Sequence, residues 1–436
     1  MADSWVRRSN PEVLAPAGNM ASFKAAVNFG ADAVYMAGKV FGMRSRAKNF
    51  TAEQMQEAIR YAHARGVRVY ITCNILPTNP EVDELPAYID SVAQMGADAL
   101  IVTDIGVMMT AKRVAPQLEL HVSTQAGVVN YLTATELYHL GAKRVVLARE
   151  LSLDAIREIR KKTPEDLDIE CFVHGSMCMA FSGRCLISEY MTGRDANHGD
   201  CAQSCRWKYS VMEEKRPGQF FPVEETDGGT YLFNSQDMNL IEHIDDLVEA
   251  GITSLKIEGR AKNAYYVATL ANAYKQAVNL YLDDPEHYQL PDWLKEEPYK
   301  VSHREYSTGF YYPEHRVTQQ TQRGGYVWDW NVVGDVVNWK DGVLTFTEHN
   351  KMVPGQTVEF LRPGQRPYAL TVADLRDENG SLVESANHPM SLYTMACPQE
   401  VDEQMMMRSP KPDRSGQGVR GAQETVQEAQ GTGSAQ

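Results

Sequence analysis

Between residues 12 and 259 the chain alternates between two textures: short runs rich in Val, Ile, Leu and Tyr, and longer stretches whose apolar residues recur every three or four positions. The first texture is that of strands buried on both faces, the second that of amphipathic helices. Strands are expected at 13–15, 33–36, 67–74, 99–103, 118–123, 144–148, 169–174, 231–234 and 254–257, with helices at 22–28, 52–64, 85–94, 133–139 and 153–160. Gly30, Gly66, Gly96, Gly141 and Gly251 fall where a helix gives way to the next strand, a place where glycine can take the left-handed helix-ending conformation. Eight or nine such units, with no G-x-G-x-x-G phosphate turn after an early strand, predict an α/β (β/α)8 TIM-like barrel rather than an open doubly wound sheet.

The barrel is expected to occupy residues 1–283 and to carry a cysteine-rich insertion at about 175–230. Residues 284–331 read as a connection, Pro- and acid-rich at its start. The texture then changes to short strands at 332–337, 342–347, 356–361 and 368–375. The turns around them hold Asp341-Gly342, Pro354-Gly355, Pro363-Gly364 and Asn379-Gly380, so a small antiparallel β-barrel is expected over 332–400. Residues 401–436 read as a disordered tail, because from Ser409 onward Gly, Gln, Ser and Pro dominate and little apolar surface can be buried.

Composition narrows the function classes. With 43% hydrophobic and 23% charged residues in 436, the chain can fill sizeable cores. Its 43 Lys and Arg against 57 Asp and Glu give a net charge of −14, so any nucleic-acid site has to be a local basic patch. Residues 1–16 lack the features of a secretory signal and no apolar run reaches the ~18 residues of a membrane span, so a cytoplasmic location with no membrane partner is expected. In that compartment the seven cysteines would stay as thiols or bind metal.

Four of them, Cys178-x6-Cys185-x15-Cys201-x3-Cys205, share one loop-like stretch at the end of a barrel strand. Four thiolates on a loop suit a [4Fe–4S] cluster, and Arg184, Arg194, Arg206 and Lys208 nearby favour thiolate over thiol. A four-cysteine zinc site is the competing reading, although zinc knuckles usually show a pair separated by two residues; four unrelated thiols is the third. Spacing leaves all three open. Cys73 and Cys397 read as packed core residues, and Cys171 as an inward core thiol that could border the site.

Active sites of this fold lie at the C-terminal ends of the strands. The residues there are Asn19, Arg44, Arg46, Asn74, Asp104, Gln125, Arg149, Glu150, His174, Asn234, Asp237, Glu258 and Arg260. Four arginines with few compensating carboxylates suit a small substrate bearing carboxylates or a phosphate, which the guanidinium fork binds bidentately. Singly, each charge could equally be a rim salt bridge, and His174 could be an acid–base group, a cluster neighbour or a hydrogen-bonded strand-end histidine. Neither a nucleophile elbow nor H-E-x-x-H is present, so the sequence displays no protease mechanism.

The run Glu170-Cys171-Phe172-Val173-His174-Gly175-Ser176-Met177-Cys178-Met179-Ala180-Phe181-Ser182-Gly183-Arg184-Cys185-Leu186-Ile187-Ser188 resembles the signature of peptidase family U32, the collagenase-like proteins. Leu14-Ala15-Pro16-Ala17-Gly18, Gly30-Ala31-Asp32-Ala33-Val34-Tyr35, Arg206-Trp207, Lys256-Ile257-Glu258-Gly259-Arg260 and Tyr306-Ser307-Thr308-Gly309-Phe310 extend the match over most of the chain. Despite the peptidase name, the resemblance implies oxygen-independent hydroxylation with a [4Fe–4S] cluster on four cysteines. Within the family the chain is most similar to the tRNA hydroxylation proteins, which use prephenate in forming 5-hydroxyuridine at the wobble position.

By motif match, Cys178, Cys185, Cys201 and Cys205 become the cluster ligands, although Asn239 stands where some relatives carry a cysteine. The reading that follows has the anticodon loop of tRNA as partner and a small carboxylate donor on Arg44, Arg46, Asn74, Arg149 and Arg260. Glu150, His174 and Glu258 are its candidates for proton transfer. Two alternatives are a peptidase acting on collagen-like chains and a non-enzymatic, cluster-bearing protein whose C-terminal β-barrel docks nucleic acid.

Overall fold

A computed structural model describes residues 10–42, 49–177, 185–196, 200–207, 211–212, 220–221, 235–314, 326–403 and 405–411. Seven parallel strands follow one another: β1 (Glu12–Pro16), β2 (Ala33–Met36), β3 (Arg68–Cys73), β4 (Ala99–Val102), β5 (Glu119–Val122), β6 (Arg144–Val146) and β7 (Asp168–Ser176). The insertion after β7 contributes a two-stranded pairing of β8 (Val211–Met212) with β9 (Phe220–Phe221), followed by β10 (Asp237–Asn239) and β11 (Ser254–Ile257). β11 pairs in parallel with both β7 and β1 and so closes the eight-stranded barrel expected from the repeat. The expected strand at 231–234 lies outside the described residues. β10 runs antiparallel along the far end of β7, and β12 (Tyr306–Ser307) adds to it as an annex.

Local chemistry fixes the helix starts. Asn19, Asp104, Asn130, Ser152 and Asn263 each accept a backbone N–H in the first helical turn, and Thr51 with Gln54 forms a reciprocal capping box. The helices lay their apolar faces on the outside of the barrel, where Phe23, Ile59, Ile89, Val107 and Ile156 meet Val34, Ile71, Leu100 and Val145 in one continuous core. Burying each such side chain stabilises by about 1.5–3 kcal/mol. No helix among the described residues is long and apolar enough to cross a membrane.

The barrel interior is different. Beside a small apolar cluster of Leu14, Ala33, Tyr35, Tyr70, Ala99 and Ile101 runs a buried charge network. Arg144 reaches Glu12 at 2.7 Å and Glu170 at 3.1 Å; Lys256 Nζ donates to Glu170 at 2.6 Å; Tyr70 Oη donates to Glu12 at 2.6 Å, and Arg68 pairs with Glu12 as well. Burial alone would raise the Glu12 carboxyl, but the Arg144 and Arg68 guanidiniums outweigh it and hold its pKa at about 2. His121, edge-on to Tyr70, is kept neutral by burial and by Arg144.

The C-terminal domain is an antiparallel half-barrel built from β13 (Trp330–Lys340), β14 (Val343–Glu348), β15 (Thr357–Leu361), β16 (Tyr368–Thr371), β17 (Leu392–Ala396) and β18 (Met406–Pro410). Its order is β16-β15-β18-β13-β14-β17. β18 corrects the expected domain end at 400: it sits mid-sheet, between β13 and β15, inside the stretch read as a tail. Val401, Met405 and Met407 are buried in the domain core, apolar anchors that a composition averaged over the whole tail conceals. The domain docks on the helices Met20–Asn28 and Ala264–Asp283 through Leu361, Met406, Phe29 and Ala268. Arg408, fully buried, forks onto Glu297 at 2.6 and 2.8 Å and also bonds Glu359 at 2.8 Å, while Lys300 joins both carboxylates.

Candidate active site

The mouth is organised by close backbone approaches. A Cβ on Gly18 would lie 1.9 Å from the Arg260 carbonyl oxygen, and one on Gly175, whose φ is +106°, would lie 2.8 Å from that of Glu258. Only glycine lets the ends of β1, β7 and β11 meet there. The Glu258 N–H donates to the His174 carbonyl at 2.9 Å, which sets the residue just past β11 on the rim.

Around that rim stand several of the expected residues. Glu258 is half-buried, with Tyr35 Oη 3.4 Å from its Oε2. Arg260 is buried, its Nη1 3.2 Å from Thr72 Oγ1 on β3. Arg149, after β6, donates to the Ser176 carbonyl at 2.7 Å and lies over the Phe172 ring at 4.6 Å. Lys256 Nζ lies 5.2 Å from the same ring and 4.6 Å from that of Tyr35, so the mouth has an aromatic floor backed by a buried ammonium. Asn74 and Glu150 are half-buried on the same rim, and the Asn74 carbonyl accepts Thr103 Oγ1 at 3.0 Å. Arg44, Arg46, Asn234 and Cys178 lie outside the described residues.

Three rim candidates have structural employment. Asn19 and Asp104 spend their side chains on helix caps. Asp237 is buried against Arg304 at 2.6 Å. His174 is set apart from the mouth. Lys256 pairs with Phe172 but Ile257 pairs with His174, so a bulge swings His174 to the outer face that Ile257 shares with the helical core. Its Nδ1 and Nε2 each lie 3.3 Å from a tyrosine hydroxyl, of Tyr274 and of Tyr306, and burial depresses its pKa to about 3.

The cysteine segment flanks this mouth. Cys185, Cys201 and Cys205 are half-buried or exposed and in no disulfide, whereas Cys73, Cys171 and Cys397 are buried, and burial pushes Cys73 up to about 12. Ser188 Oγ accepts the Ala202 N–H at 2.9 Å, tying the helix Ile187–Thr192 to the turn that carries Cys201 and Cys205. The Gln203 N–H donates to Cys201 Sγ at 3.3 Å, the kind of bond that stabilises a thiolate ligand. By softness, exposure and backbone support these donors fit an iron–sulfur centre. Among the described residues no three His, Cys, Asp or Glu side chains converge on one point, Cys178 being outside them.

A cavity of about 260 Å³ joins these elements. It is lined by Ser176, Gln203, Glu258, Gly259, Ala261, Lys262 and Tyr326. Gln203 and Tyr326 carry no sequence signal of their own, since one hides among the cysteines and the other is brought in from beyond the annex. Lys262, two residues past the Lys256–Arg260 motif, was within reach of sequence reasoning.

A β/α barrel with a cysteine-bearing loop at its mouth and a β-domain on its flank is the architecture in hand, and its family can now be stated. The model of peptidase family U32 matches residues 18–321 and that of the U32 C-terminal domain matches 329–408; the chain belongs to this family. It is 37% identical over 409 residues to "tRNA hydroxylation protein P1" of Bacillus subtilis, covering 92% of this chain and 95% of that one. It is also 37% identical over 273 residues to "23S rRNA 5-hydroxycytidine C2501 synthase" of Escherichia coli, covering 63% and 40%. To "Collagenase" of Porphyromonas gingivalis it is 33% identical over 324 residues, covering 72% and 76%.

Proposed function

We propose that this protein is a cytoplasmic tRNA-modifying enzyme that hydroxylates C5 of the wobble uridine without molecular oxygen, using a small carboxylate donor of the prephenate type and a [4Fe–4S] cluster. The observation that carries the reading is the similarity to Bacillus subtilis tRNA hydroxylation protein P1 along 92% of the chain. Cys185, Cys201 and Cys205, with Cys178, would hold the cluster, which when bound supplies electron transfer at a potential set by hydrogen bonds and exposure. Arg149 and Arg260 bind the donor's carboxylates as planar forks, in concert with Arg44, Arg46 and Asn74. Glu258, half-buried and beside Tyr35, holds or moves the proton; Glu150 is the second candidate on the rim, and His174 supports the strand end from behind. An anticodon loop base is already unpaired, so presenting it costs little.

Nucleoside mass spectrometry of tRNA from a deletion strain lacking paralogues should show 5-hydroxyuridine-type nucleosides lost; an unchanged profile overturns the reading. Anaerobically purified protein should be brown with about four irons per chain, and one equivalent of zinc in a colourless protein would remove the cluster from the proposal. The collagenase relative favours a second reading, a peptidase. Release of peptides from gelatin, abolished by E258Q, would establish it.

A further inference from the structure

We infer that the cavity shared by the barrel mouth, the cysteine turn and Tyr326 holds one pyrimidine base of an RNA strand, stacked on the Tyr326 ring and read along its edge by Gln203. This rests on the RNA-hydroxylation reading and assigns that reading a base pocket.

Charge and size separate this cavity from two larger ones among the described residues. In one of about 600 Å³ the charged lining is Glu242, Asp245 and Asp292 against Lys295, and in one of about 440 Å³ it is Glu81 and Glu84 against Lys39, so carboxylates are in excess in both. Acidic walls repel a phosphate backbone. The 260 Å³ cavity has Lys262 against a single carboxylate, Glu258, in its wall, with Lys262 Nζ 4.3 Å from the Tyr326 ring and donating to the Ser302 carbonyl at 3.2 Å. Tyr326 is 41% exposed, an aromatic held at the surface beside an ammonium. That pairing serves a nucleotide twice, as a π-face for the base and a cation for its phosphate. The volume falls below the ~300–1,000 Å³ of drug-sized sites, which suits one base with its sugar.

Gln203 supplies the edge. Its backbone is left-handed, with φ +57° and ψ +32°, a conformation in which glycine would be unstrained. That backbone aims its N–H at Cys201 Sγ, and the residue lines the cavity with an amide that carries a donor and an acceptor side by side. Uracil and cytosine each present adjacent donor and acceptor atoms on their pairing edge, and the amide matches either by turning over.

The test is equilibrium binding of a fluorescent anticodon stem–loop RNA, and of the same RNA abasic at the target position, to the full chain and its Y326A, Y326F and Q203G variants. Y326A should weaken binding of the intact RNA by roughly 5- to 150-fold, the range for one lost base stack, while Y326F stays within about 2-fold. The abasic RNA, which loses both the stack and the edge contact, should bind wild type at least as weakly as intact RNA binds Y326A, with no further loss when the two changes are combined. Q203G should melt no lower than wild type yet bind the intact RNA more weakly. Equal affinities of folded wild type and Y326A for intact RNA overturn the pocket and leave the hydroxylation reading standing. Absence of any RNA binding by wild type overturns both. Should Y326A fail to fold, the abasic RNA decides: affinity for wild type equal to that of intact RNA overturns the pocket.

Discussion

The two ends of the barrel use the same residue types to opposite ends. At the base, Glu12, Arg144, Glu170 and Lys256 sit within 3.1 Å of a partner of opposite charge and are almost wholly buried. At the mouth, Arg149 and Glu258 are half-buried and border the cavity or its lining. Charges closed on one another by the fold carry stability, whereas charges on a concave rim stay accessible to a ligand. Removing one of the first kind strands its partner in low dielectric; removing one of the second kind leaves the fold nearly untouched.

The sharpest break in this contrast is Arg144→Met. It strands Glu12 and Glu170, and urea unfolding should show a loss of about 3–5 kcal/mol, typical of breaking a buried pair from one side. Glu258→Gln should do the reverse. We expect hydroxylation, followed by nucleoside mass spectrometry, to fall by about 10²-fold or more with the urea midpoint held.

Acid separates the ends more gently. Glu12, depressed in the fold to about 2 from an ordinary 4.5, contributes stability that is full above 4.5 and lost as pH falls towards 2. His174, depressed to about 3 from 6.5, is neutral in the fold while the unfolded chain takes up a proton, so stability already declines as pH falls below 6.5. Buried His121 acts in the same direction. Melting temperature followed from pH 7 to 3 should therefore fall from about 6.5 downward, and His174→Asn should flatten the upper part of that slope. The smallest effect belongs to Asn19→Ala. Asn19 belongs to the mouth by position but to the scaffold by employment, so it should cost about 1 kcal/mol of stability and leave activity alone.

Much of the fold was legible because a parallel barrel repeats its signals: a buried run, an amphipathic stretch, a glycine. The misplacements have particular causes. His174 lies at a strand end where alternation points inward, but one extra residue opposite the Lys256–Ile257 step turns it outward, and nothing in the local pattern marks a bulge. β18 was hidden because a five-residue strand with buried Met407 inside it and Val401 and Met405 before it is diluted by the polar residues that follow. The base network was missed because charges inside strands look solvated until their partners, up to 132 residues apart, are known. Arg149, Glu258 and Arg260 were found on the rim because a barrel places strand ends by rule. Tyr326 was missed because its place on that rim depends on how the annex folds back, which no periodicity encodes.

The position of β18 bears on how the chain is made. The strand that completes the middle of the C-terminal sheet follows every other described strand in the chain, while β11 closes the barrel some 150 residues earlier. During translation the barrel can therefore close while the β15–β16 hairpin and the three-stranded unit of β13, β14 and β17 remain separate, and Glu297 and Glu359 wait for Arg408. A chain released early would expose two unpaired strand edges and two carboxylates without their guanidinium, features that invite proteolysis and aggregation. Arg408 thus reaches Glu297 and Glu359 only once the strand that fills the middle of the sheet has been made.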